Sequence, residues 1–118
     1  SRTHQYAGTV DGIAYFPTLG KTGIVDYKSG GIYPEVALQL AAYRYGDFIG
    51  LPDGTELPVP EVDFAAAIHV RPRSLRFLPV QAGPDEFETF LNARRIAEFA
   101  ATGHTLVGAP INPQGHAA

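Results

Sequence analysis

The octapeptide from Lys21 to Lys28, KTGIVDYK, constrains this chain more than any other segment. Its pattern predicts a strand, and the neighbours Ile24, Val25 and Tyr27 place that strand in the interior of a sheet. Asp26 and Lys28 stand two residues apart, so their side chains emerge on the same face. An ammonium buried without partners costs several kcal/mol, and a compensating group is therefore expected close by.

Asp11 is the expected partner. It interrupts the alternating segment from His4 to Phe16, HQYAGTVDGIAYF, which reads as a first strand. Pro17 to Gly20 has turn chemistry, so the two strands are expected to form an antiparallel hairpin that brings Asp11 beside Asp26. Two carboxylates that close raise each other's pKa unless a divalent cation neutralises both. Oxygen ligands of this kind suit Mg²⁺ or Mn²⁺. The segment contains no Cys, which excludes disulfides, thiolate zinc sites, Cys nucleophiles and a cysteine-held iron–sulfur cluster within it.

After Ser29-Gly30-Gly31 breaks the second strand, Pro34 and the Ala- and Leu-rich run from Glu35 to Tyr45 predict a helix that stops at Gly46. Gln39 and Tyr43 are four apart on it and share one side, which can look toward the same pocket. Residues 50–60 read as a loop or minor hairpin around Asp53-Gly54. Val62 to Val70 and Leu75 to Val80 read as strands joined by a turn at Arg71-Pro72-Arg73-Ser74, with Pro79 marking an edge. Pro84 to Ala101 predicts a helix whose stripe is Phe87, Phe90, Leu91, Arg94, Ala97 and Phe99. The order strand, strand, helix, strand, strand, helix predicts an α/β (mixed α+β) fold, a mixed sheet flanked by helices. Residues 1–101 are expected to form the domain and residues 102–118 a flexible tail.

With 118 residues, 45% hydrophobic and 18% charged, the chain is one globular domain's worth. No apolar run reaches the roughly 20 residues of a membrane span, and no signal-peptide core is visible, so a cytoplasmic location and no membrane partner are expected. The net charge of −3 runs against nucleic-acid binding, although Arg71, Arg73, Arg76, Arg94 and Arg95 all fall in the second half.

Three motifs in series, Gly8-Thr9-Val10-Asp11, then Asp26-Tyr27-Lys28, then Gln39-Leu40-Ala41-Ala42-Tyr43, resemble those of the PD-(D/E)XK nuclease superfamily. The likeness is to its RecB-type and phage exonuclease branch, with G-x-x-D, D-x-K and Q-x-x-x-Y motifs. It covers residues 6–46 tightly and the rest only by element order. The resemblance implies a restriction-endonuclease-like fold and a Mg²⁺-dependent deoxyribonuclease, an exonuclease of phage or recombination and repair type acting on linear DNA ends. It implies that Asp11, Asp26 and the carbonyl of Tyr27 hold the metal, that Lys28 positions or activates the attacking water, and that Gln39 and Tyr43 hold the nucleic-acid strand. A helicase or recombination protein is the implied partner. The family's N-terminal helix, which contributes an acid, is expected to be missing from this chain, and the cysteines of its iron–sulfur relatives are absent.

Plainer readings stand beside these. Asp26 and Lys28 suit a surface ion pair, Gln39 and Tyr43 an ordinary amphipathic helix, and Asp11 a strand end. Arg71, Arg73 and Arg76 could touch phosphates but better suit a solvated hairpin tip, His69 suits a satisfied strand residue, and His104 and His116 the tail. The alternative function is a catalytically inactive nuclease-like module that binds DNA ends or a partner protein.

Overall fold

The structure is a computed structural model and describes residues 1–114. A strand β1 (Gly12–Phe16) turns into β2 (Lys21–Lys28), and helix α1 (Glu35–Arg44) follows. A small hairpin, β3 (Phe48–Gly50) with β4 (Glu56–Pro58), leads to the strands β5 (Phe64–Arg71) and β6 (Ser74–Val80). Helix α2 (Pro84–Thr102) and a 3₁₀ turn at Gly103–Leu106 complete the order. The main sheet runs β1-β2-β5-β6, with β2 and β5 parallel and both outer pairs antiparallel, so the fold is mixed α+β as expected.

β2 is interior because it is paired along both edges. The β1–β2 turn closes with Gly20 in the left-handed region at φ 62°, its N–H donating to the Phe16 carbonyl at 2.9 Å. At the far side, the Asp63 N–H donates to the Thr22 carbonyl at 2.8 Å and the Asp63 carboxylate accepts from the Thr22 N–H at 2.9 Å. That reciprocal clip starts β5 in register with β2.

The first strand is shorter than its alternation predicts. Only Gly12–Phe16 joins the ladder, and Asp11 stands just before it rather than inside it. The residues upstream are drawn to the helices instead: the Tyr6 hydroxyl donates to the Ala42 carbonyl at 2.6 Å, and its ring meets Phe90 edge-on at 5.0 Å. Tertiary aromatic packing thus displaced ladder pairing for this segment.

α1 begins at Pro34 as the N-cap with Glu35 in its first turn and ends with Arg44, where the guanidinium donates to the carbonyls of Val62 at 3.0 Å and Ala82 at 3.3 Å. Its Val36, Leu40 and Ala41 pack on Ile24, Ala65 and Ala67, and Phe87 of α2 joins the same cluster. Ala65 and Ala67 of β5, both buried on the face under α1, leave room for the helix to lie close on the sheet.

α2 departs from its predicted stripe. No residue of it is buried; Phe87 and Phe90 pack on the body while Ile96 and Phe99 are exposed. Only the first half of the helix has anything to pack against. The opposite face of the sheet carries a cluster of Phe16, Phe64 and Phe77, with ring centroids 5.4–6.1 Å apart, and exposes Tyr27, Val70 and Leu75 around it. His104 lies in the 3₁₀ turn, and His116 lies outside the described residues. Among the described residues, no helix is long and apolar enough to cross a membrane.

Candidate active site

β2 and α1 build the site between them. Asp26 shares a face with Ile24 and is 3% exposed, while Lys28, one pleat further, reaches toward the solvent. Lys28 Nζ forms an ion pair with Asp26 Oδ2 at 3.0 Å, and among the described residues no other donor reaches that buried carboxylate oxygen. Lys28 Nζ also approaches Gln39 Oε1 at 3.5 Å, and Gln39 Nε2 donates to the Tyr43 hydroxyl at 3.2 Å. The expected convergence of Gln39 and Tyr43 on Lys28 is therefore present, as a relay of polar contacts along one side of α1.

Asp11 reaches the site from the end of β1. Beyond the Gly12–Val25 pair the β1–β2 ladder stops, and Asp11 Oδ2 accepts the Tyr27 N–H at 3.0 Å in place of a backbone carbonyl. In a strand the N–H and C=O of one residue point to the same side, so the Tyr27 carbonyl opens toward Asp11 as well. The Tyr27 N–H, and secondarily Asp26, hold the Asp11 carboxyl below the usual carboxylate range. Burial pushes the Asp26 carboxyl above that range, against the pull of Lys28.

Gly8 ties the first motif to the third. A Cβ there would sit 2.7 Å from Tyr43 Cε1, so only glycine lets the Tyr43 ring lie against this backbone. A cavity of about 320 Å³ opens beside Lys28 and Gln39, lined also by Gly31, Tyr33 and Glu35. Glu35, Gln39 and Tyr43 are spaced by four along α1, and that spacing is the sequence signal for Glu35, which stands outside the Gln-x-x-x-Tyr motif. The larger cavity, about 480 Å³, lies behind Tyr43 under Tyr6, Gly8, Val10 and Phe48, and no charged side chain lines it.

The donor set suits a hard divalent cation on one observation: a buried carboxylate, Asp26, with a second carboxylate, Asp11, beside it on the side to which the Tyr27 carbonyl opens. Mg²⁺ is commonly held by one or two carboxylates and keeps several waters. No group of three or more His, Asp or Glu that could hold a metal occurs among the described residues, so such an ion would depend on these two acids, a carbonyl and water. Comparison with family models, with curated proteins and with solved structures finds no match to this chain.

Proposed function

We propose that this protein is a metal-dependent nuclease that hydrolyses DNA phosphodiester bonds, acting as an exonuclease on linear ends. The observation that carries the reading is Asp26, a buried carboxylate set between the Lys28 ammonium at 3.0 Å and a second acid, Asp11. A pure binding module gains nothing from that arrangement, which costs stability in the absence of a ligand. Asp11, Asp26 and the Tyr27 carbonyl would hold Mg²⁺ or Mn²⁺. The ion supplies Lewis acidity, polarising the phosphodiester and easing deprotonation of the attacking water.

The chain's own groups do the rest. Lys28, oriented by Asp26 and Gln39, keeps an N–H free to orient the water or a phosphate oxygen. Gln39 accepts from Lys28 through Oε1 and donates through Nε2, which fixes its amide and leaves a second N–H for the substrate. The Tyr43 hydroxyl accepts from Gln39, so its own proton is available to another phosphate oxygen. The decisive experiment incubates end-labelled linear and circular DNA with Mg²⁺ or Mn²⁺. Loss of linear DNA that EDTA and Lys28→Ala each abolish is expected; linear DNA left intact under every condition overturns the reading.

A further inference from the structure

Arg71, Arg73 and Arg76 lie at a hairpin tip, and the strand register relates them to the site. Lys28 is paired with His69 across the parallel ladder, and His69 with Arg76 across the antiparallel one. Directly opposed residues share a face, so Lys28, His69 and Arg76 form one row on the face that holds Asp26. Arg71, two residues beyond His69, lies on that face too, and Arg73 sits in the turn that follows. Two strand spacings, about 10 Å, separate Lys28 from Arg76.

The charge around this row is one-sided. Residues 64–84 contain no Asp or Glu, in a chain whose net charge is −3. Of the other arginines, Arg2 pairs with Glu56, Arg44 caps two carbonyls, and Arg94 contacts Glu98 and the His4 carbonyl, while Arg95 is exposed on α2, away from this row. Among the described residues, the side chains of Arg71, Arg73 and Arg76 make no hydrogen bond or ion pair. Arginine forks match phosphate geometry in a way a lysine point charge does not.

We propose that Arg76, Arg71 and Arg73 form a phosphate track that continues from Lys28 along the β5–β6 hairpin and grips the nucleic-acid backbone leading away from the cleavage point. The position of that point rests on the nuclease reading, while the track is a binding surface that can be tested without cleavage. It gives an acidic protein a local basic path, and it sets the direction in which a bound strand leaves the site.

The test measures binding of a labelled oligonucleotide in EDTA over a range of salt concentrations, for the parent chain, R71A/R73A/R76A and R71K/R73K/R76K, with thermal melts confirming the fold of each. Removing three phosphate contacts is expected to weaken binding by about tenfold or more and to flatten the log–log salt slope by about 2 to 3. The lysine variant is expected to recover most of the slope. Unchanged affinity and slope in the alanine variant overturn the track, as does equal competition by polyglutamate, which would mark a general anion patch. A protein that binds through these arginines but cuts nothing upholds the track and overturns the nuclease reading. One that cuts DNA with an unaltered slope does the reverse.

Discussion

At the scale of single residues, Asp26 holds the conflict from which the site is made. Its carboxyl is pushed up by burial, so in the metal-free protein it favours folding at low pH, and that contribution is lost as pH rises through its folded pKa. Asp26→Asn is therefore expected to raise the melting temperature of the metal-free protein at neutral pH. An unsatisfied buried acceptor costs about 1–3 kcal/mol, an upper bound on the gain because the Lys28 ion pair at 3.0 Å offsets part of that cost. On the proposed nuclease function the same variant is expected to lose metal-dependent cleavage; a lower melting temperature than the parent's would show that Lys28 already compensates the charge. Asp47 gives the opposite sign. The Thr3 N–H at 2.8 Å, aided by Ser1, holds its carboxyl down to about 2. Its hold on the first residues is present above the ordinary carboxylate pKa and lost as pH falls through about 2. A carboxylate NMR titration should place the Asp47 midpoint there, and a midpoint near 4 would mean that the contact with Thr3 does not persist in solution.

At the scale of elements, β2 and α1 were legible almost to the residue, because an apolar run bounded by Lys21 and Ser29, and a Pro34 start with an Ala- and Leu-rich body, leave little competition from tertiary structure. The segment before Asp11 was not, since its alternation is real but is satisfied by Tyr6 against α1 and α2 rather than by a ladder. Motif spacing brought out Asp11, Asp26, Lys28, Gln39 and Tyr43; the row through His69 and Arg76 needed strand register, which no local pattern encodes. The Gly8 contact with Tyr43 joins elements far apart in sequence, so Gly8→Ala is expected to cost about 1–3 kcal/mol by overpacking and to disturb the Tyr43–Gln39 bond. Denaturant unfolding measures the first, and unaltered stability would mean that the ring swings aside freely. Along α2, Phe87→Ala should cost about 3 kcal/mol and Phe99→Ala under about 0.5, because only the former joins the core. Equal losses would show that the outer half of the helix is packed in solution.

At the scale of the molecule, the outer half of α2 carries the chain away from its body. The radius of gyration is 20.3 Å and the longest extent 75 Å, against about 13–14 Å for a compact chain of this length. X-ray scattering from dilute solution should return a value near 20 Å; one near 14 Å would mean that the helix folds back. β6 bears on what happens when solutions are concentrated. It is an edge strand, interrupted by Pro79 and carrying Arg76 beside exposed Leu75 and Phe77. Edge strands invite pairing between copies, and a charge or proline on the edge discourages it. The basic hairpin is thus also a colloidal guard: salt that screens its charge lowers the barrier to two molecules zipping together along β6.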